Sequence, residues 1–420
     1  MTTPDTSRQL GRFIAASGMT NLADGIAVVV WAWMATLLTR DPLLVALMPV
    51  ALRMPWFLFA LPAGIVTDRV DRRRLMLTMD ILRACVFAVA ALLVWSALPL
   101  GEPPENGTGV PVLFGALLMC ALLVGTAEVF RDNAAQTMLP AIVPHAGLER
   151  ANGRLWSVEL VGNALIGPAL GAFLIAFVIW MPFALNAAIF ALAALMMLGL
   201  RGQFKPQQAG ARDWRKELRE GLGFLRAAPL LRLLAVVTGV WNLLHQMVVI
   251  ALVLHVQENL GLGARGYGLI LAAGAVGGIL GGLIAERVIK RLGAGATAQW
   301  MTLASAVAFG AIVFAPNGWA LALVLAMFEL TGLIWNTVSV SYRQRVIPDA
   351  LLGRVNSVYR LLAWGMMPVG LLLSGLIVSW SEALMPRGAA LTMPFAAAGL
   401  GAALLTAVAW RSLGRGFSKA

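Results

Sequence analysis

Gly64-Ile65-Val66-Thr67-Asp68-Arg69-Val70-Asp71-Arg72-Arg73-Arg74 lies between two apolar runs, residues 43–67 and 74–98. Four arginines and two aspartates fall within residues 68–74, so this segment belongs in water. The runs on either side each hold the roughly 20 apolar residues that a spanning helix needs. A related stretch, Gly282-Leu283-Ile284-Ala285-Glu286-Arg287, closes another apolar run much later in the chain.

The rest of the chain follows the same pattern. It has 420 residues, 60% hydrophobic and only 12% charged. A soluble globular protein is about 45–50% apolar and about 25% charged, and a disordered one is poor in apolar residues. Both classes are excluded, and a polytopic membrane protein remains. Twelve apolar runs can be marked: 11–38, 43–67, 74–98, 110–137, 152–178, 181–200, 229–256, 267–289, 296–315, 318–341, 355–380 and 389–411. They are continuous rather than alternating, which predicts helices and not a β-barrel. The first run follows Arg8 and Arg12 without a small-residue cleavage site and reads as a helix that stays.

The net charge is +12. With the N-terminus inside, Lys and Arg gather at cytoplasmic ends and loops. The exceptions are Arg40, Arg265 and Arg387 on the other side and Arg53 and Arg83 within runs. That bias sets both termini in the cytoplasm of a cell with the chain in its inner (plasma) membrane. The basic excess is topogenic, and nucleic acid is dropped as a partner. Cys85 and Cys120 lie in apolar runs and read as small hydrophobes.

The two halves repeat. Pro144-His145-Ala146-Gly147-Leu148-Glu149-Arg150-Ala151-Asn152 matches Pro348-Asp349-Ala350-Leu351-Leu352-Gly353-Arg354-Val355-Asn356 at Pro, Ala, Leu, Arg and Asn. The chain divides as 1–201, an N-terminal six-helix bundle; 202–228, a central cytoplasmic loop; and 229–420, a C-terminal bundle. In the loop, Leu218, Leu222 and Leu225 recur at helical spacing, giving a short amphipathic helix on the membrane surface or a solvated linker helix. Duplicated six-helix units are a transporter signature, with alternating access around a midplane site.

At Gly64–Arg74 and at both copies of the second repeat, the sequence resembles the major facilitator superfamily, in the branch similar to enterobactin exporters and macrolide efflux proteins. Asp71 stands where that signature usually has Gly. The resemblance implies twelve transmembrane helices in two six-helix pseudo-repeats. It also implies a gating contact in which Asp68 meets the eleventh helix. Gly64, Asp68, Arg69, Arg72 and Arg73 form the gating motif, with Glu128, Arg131 and Asp132 on the fourth helix. Arg69 and Arg72 are candidates to pair with Glu128 or Asp132; the other reading is that the arginines only set topology. Gly162, Gly167, Pro168 and Gly171 look like the helix-five motif of drug antiporters, with Asn163 and Ala172 departing from it.

Charges inside the runs mark the candidate chemistry, because an ionisable group at membrane depth is costly. Asp24 leads, beside Asn21 on the same turn. Arg53 is its nearest partner by depth, as a proton-coupling element or as a structural pair. Asp80 and Arg83, three residues apart, predict an internal pair. Glu329 reads as a lone acid, either a cation or proton site or a hydrogen-bonded packing group. Asn242, His245 and Gln246 cluster on the seventh helix, and His245 is a candidate proton shuttle or a structural group. Trp241, Trp335 and Trp364 line a cavity or fill the core. Glu159 carries no assigned role. Gly274, Gly278 and Gly282 form a small-residue face expected to meet the Gly162–Gly171 region. Gly261-Leu262-Gly263-Ala264-Arg265-Gly266 matches a dinucleotide fingerprint only as a string, with no strand before it. No metal, cofactor or nucleophile constellation is legible. The expected function is proton-coupled efflux of a small amphiphilic organic molecule, drug or siderophore-like, by a monomer in the lipid bilayer. A facilitator or importer of the same fold, or a non-transporting assembly or lipid-handling protein, is the alternative; an enzyme is not.

Overall fold

A computed structural model of the chain describes residues 4–67, 69–143, 148–202, 204–205 and 214–418. Among them there are helices and connections and no strand. Asp68, and Pro144 to Gly147 of the first repeat copy, lie outside the described residues.

The chain forms two compact units, Met1–Gly210 and Ala211–Ala420. The first contains α1 (Pro4–Leu38), α2 (Pro42–Thr67), α3 (Arg72–Ser96), α4 (Pro111–Ile142), α5 (Leu148–Leu160), α6 (Gly167–Ile175) and α7 (Met181–Leu198). The second contains α8 (Trp214–Ala227), α9 (Pro229–Leu254), α10 (Ala264–Leu292), α11 (Ala294–Ile312), α12 (Gly318–Val346), α13 (Asp349–Trp364), α14 (Met367–Glu382), α15 (Arg387–Ala390) and α16 (Met393–Ser418). Pro111, Pro182, Pro229, Pro368 and Pro394 start helices, where a missing N–H costs nothing. Eleven spans among the described residues are long and apolar enough to cross a membrane. The remaining long helix, α11, is more polar. Its Thr297, Thr302 and Ser305 are buried inside the unit, and Gln299 donates to the Trp410 carbonyl at 2.7 Å.

The same plan organises both units. In the first, α2 packs on α4, α3 on α4 and α7, and α1 on α5, α6 and α7. In the second, α10 packs on α12, α11 on α12 and α16, and α9 on α13, α14 and α16. The pairing is one-to-one, as a duplicated six-helix unit requires. Large apolar side chains such as Leu92, Leu195, Leu283, Leu323 and Leu404 are exposed on the helices, an arrangement suited to lipid rather than water.

The fifth span is interrupted. Pro168 supplies no N–H to the preceding turn, and residues Val161–Ile166 form a π turn between α5 and α6, with the Gly167 N–H bonded to the Gly162 carbonyl. The central helix α8 packs against α13 and α9. Leu225 is buried there, with Leu218 and Leu222 against the same core. Its apolar stripe therefore packs on protein, with Leu225 buried and Leu218 and Leu222 partly buried. Glu220 of α8 pairs with Arg354 of the second repeat copy.

Candidate functional site

The first unit buries a group of charges on three helices. Asp24 of α1 pairs with Arg83 of α3 at 3.0 Å, and Arg83 pairs with Asp80 at 2.9 Å. The guanidinium of Arg83 also lies 4.0 Å from the centre of the Phe190 ring on α7. Arg131 of α4 reaches Asp80 at 3.6 Å, Asp132 at 3.5 Å and the Ser17 hydroxyl at 3.4 Å. Asp80 and Arg83 are fully buried, whereas the Asp24 side chain keeps 13% of its surface.

The predicted Asp80–Arg83 pair is present. The predicted Asp24–Arg53 pair is not. Arg53 of α2 turns to Glu128 of α4 at 3.5 Å, and Trp56 donates to the same carboxylate at 3.4 Å. Depth along a helix matched Asp24 to Arg53, but rotation about the helix axis decides the partner, and α2 faces α4. Asn21 also turns away from Asp24. It donates to the Ser17 carbonyl and accepts from Asn163 of the π turn, while Asp24 points to α3.

The basic motif does mechanical work at helix ends. Asp71 caps α3 by accepting from the Arg74 N–H at 2.9 Å, which accounts for an aspartate where the resembled signature has glycine. Arg72 donates to the Thr137 carbonyl at 2.9 Å, and Arg73 to the carbonyls of Met197 and Leu198 at 3.1 and 3.0 Å. Cations thus satisfy the carbonyl ends of α4 and α7. Arg72 does not pair with Glu128 or Asp132, which hold Arg53 and Arg131 instead. Arg69 is exposed, and Gly64 has open space where a Cβ would stand.

The helix-five glycines meet α1. A Cβ on Gly167 would lie 2.6 Å from the Gly25 Cα, and one on Gly171 would lie 2.9 Å from the Ile26 carbonyl. Gly162 approaches the Leu22 backbone in the same way. Within the second unit, Gly277 and Gly281 press on the backbone of α12 at Ala326 and Leu330, Gly274 and Gly278 pack on Leu325 and Leu333 with Glu329 behind them, and Gly282 faces open space.

Glu329 is not a lone acid. Its Oε1 lies 3.0 Å from His245 Nε2 of α9, joining two residues that the sequence left apart. The imidazole lies against both Trp241 and the fully buried Phe328, with ring centres 4.9 and 5.3 Å away. Trp241 also stacks on Phe328 at 5.4 Å. The His245 and Glu329 side chains retain 20% and 28% exposure, so this aromatic and acidic cup is open. Asn242 faces elsewhere and donates to the Ala363 carbonyl at 2.9 Å. Trp335 is core, and Trp364 is partly exposed under Arg360.

Sequence reasoning missed Ser17, Phe190 and Asn186. Asn186 donates to the Ala23 carbonyl beside Asp24 at 3.0 Å. A lone amide in an apolar run was a readable signal for Asn186; nothing in the sequence set Phe190 apart from its neighbours. Among the described residues no group of His, Cys, Asp and Glu could hold a metal ion.

A family model described as transmembrane secretion effector matches residues 7–412. The multidrug efflux pump Tap of Mycolicibacterium fortuitum is 28% identical over 370 residues, covering 84% of this chain and 85% of that protein. The enterobactin exporter EntS of Shigella boydii is 26% identical over 357 residues, 83% of this chain and 79% of that protein. Among solved structures, a bacterial homolog of the human lysosomal transporter Spinster has a TM-score of 0.73 at 15% identity, covering 100% of this chain and 99% of that one. At that identity the likeness carries the fold alone.

Proposed function

The chain belongs to the transmembrane secretion effector family of the major facilitator superfamily, and on that premise we propose that it is a proton-coupled exporter of small amphiphilic organic molecules. It is a multi-pass membrane transporter and not an enzyme. The efflux direction rests on the relatives, which are named as a multidrug pump and a siderophore exporter.

One observation carries the proton coupling. Asp24 sits midway along the first spanning helix, is paired with a fully buried arginine and still keeps part of its carboxylate surface open. A carboxylate so placed can exchange a proton while its partner remains charged. Protonation then changes the charge balance inside the unit, and such a change drives transport only where the two access states differ in their affinity for the proton. Inward movement of one proton supplies about 2.3 kcal/mol per 100 mV. The part-exposed His245–Glu329 pair, backed by Trp241 and the buried Phe328, supports the substrate class: a carboxylate beside aromatic rings suits a cationic amphiphile.

Transport by purified protein in proteoliposomes, with ethidium as the probe and an imposed pH gradient, tests this reading. The wild type is expected to move ethidium against its gradient, and Asp24→Asn to lose at least about 90% of that rate while keeping gradient-free counterflow. Gradient-driven transport that survives Asp24→Asn overturns the proton role. Counterflow alone in the wild type makes the protein a facilitator.

A further inference from the structure

The buried charges of the first unit form an ordered chain. Asp24, Arg83, Asp80, Arg131 and Asp132 alternate in sign, with successive separations of 3.0, 2.9, 3.6 and 3.5 Å. The three middle side chains are sealed, at 0%, 0% and 1% exposure, while the two ends keep 13% and 32%. Each arginine is shared between the central acid and one end acid. Three carboxylates face two guanidinium groups, so neither arginine can settle fully on one partner without weakening its hold on the other. The links also have slack: Nε of Arg83 and Oδ2 of Asp80 are buried without a hydrogen bond, and Nε of Arg131 meets Asp80 at 3.6 Å, too far for one.

The chain has a direction. Arg131 also touches Ser17, and Ser17 precedes Asp24 by seven residues on α1. At 1.5 Å per residue the two levels are about 10 Å apart. The other charged groups around α1 act on the same links through space, Glu128 on Asp24 among them. Arg53 and Glu128 are paired with each other. Glu159 on α5 feels Asp132 and Arg131 electrostatically. The π turn and α7 present the amides Asn163 and Asn186.

We propose that these five residues are a charge relay that transmits the protonation of Asp24 to Asp132. When Asp24 takes a proton, Arg83 moves its charge wholly onto Asp80. Asp80 then loosens Arg131, and Arg131 closes on Asp132. Both guanidinium groups stay protonated throughout, so the proton on Asp24 is the only one that moves. Asp80 and Arg131 are positioning residues, which act through Asp24 and Asp132 and do not touch the substrate. The relay rests on the reading of Asp24 as a proton site, and the test below separates the two.

The test is infrared titration of the full chain in lipid, without substrate, following the carboxyl band that disappears in Asp24→Asn. In Asp132→Asn, Arg131 turns to Asp80, Asp80 yields Arg83, and Arg83 holds the Asp24 anion more firmly. The band is then expected to titrate lower than in the wild type by about half a pH unit or more. In an Asp80→Asn background the link is cut, and the Asp132 substitution should shift the band by less than half as much. A direct field from Asp132 would instead persist there, and a shift of undiminished size overturns the relay. Where Asp80→Asn does not fold, Arg131→Lys serves as the background, since one ammonium cannot bridge both acids, and the same loss of the shift is expected. If no band lost in Asp24→Asn titrates at all, the proton site itself falls, and the relay with it. A titrating band whose shift survives in both backgrounds removes the relay alone.

Discussion

Two arginines in the first unit show what a buried charge is worth. Arg83 is fully buried between Asp24 and Asp80, whereas the Arg53 side chain is 32% exposed beside Glu128. Removing one partner from a buried pair leaves the others charged and desolvated, at a cost of roughly 3–5 kcal/mol. Arg83→Gln is therefore expected to lower the unfolding temperature of the purified protein sharply or to abolish its accumulation. Arg53→Gln strands a single carboxylate, Glu128, which Trp56 still holds, and should cost less than half as much. Equal losses from the two substitutions would mean that the Asp24–Arg83–Asp80 group does not hold the unit together. The sequence made Asp24, Arg83 and Glu329 conspicuous, because charge in an apolar run is expensive. It paired Arg83 with Asp80 correctly, gave Asp24 the wrong partner in Arg53 and left Glu329 alone. Asp80 and Arg83 share a helix face, so their contact follows from spacing alone. The Asp24–Arg83 and His245–Glu329 contacts need the rotation of each helix about its axis, and a helix that is apolar all round carries no periodicity to fix it.

At the scale of elements, small residues were legible and their neighbours were not. Gly162, Gly167 and Gly171 promised a close approach, and α1 makes it through Gly25 and Ile26. A Cβ on Gly167 would meet two backbone atoms at 2.6 Å, the Gly25 Cα and the Gly162 carbonyl oxygen, and neither can rotate away as a side chain would. Overpacking of this kind costs about 1–3 kcal/mol. Gly167→Ala should accordingly depress the unfolding temperature and slow transport. Gly64→Ala and Gly282→Ala, where nothing stands within 4 Å of the added carbon, should melt with the wild type. A Gly167→Ala protein as stable as those two would show that the α1 crossing is looser than its geometry implies. The α8 stripe has the same lesson. Leu218, Leu222 and Leu225 fix an amphipathic helix, but lipid, water and a protein groove all satisfy that pattern equally well, and only the fold shows that α13 covers it.

For the whole molecule, the duplicated plan was the most legible feature, because two sequence echoes and two sets of six apolar runs constrain each other. The charge bias adds an orientation that helix packing does not contain. Its arginines have two uses at once. Arg12 donates to the Gly199 carbonyl at 2.6 Å, and Arg72 and Arg73 donate to carbonyls near the ends of α4 and α7, so the charges that set topology also tie down helices later in the chain. If the bias governs insertion, the α3–α4 connection faces the outside and the basic end of α10 faces the cytoplasm. Labelling tests this in a chain whose Cys85 and Cys120 are replaced by alanine. Asn106→Cys, at an exposed position, should react with a membrane-impermeant maleimide in intact cells, and the equally exposed Lys290→Cys only after the membrane is opened. The opposite pattern would invert the chain. Asp24 would then have to draw its proton through the other end of the unit, and proton entry coupled to export would no longer be the direction the charges support.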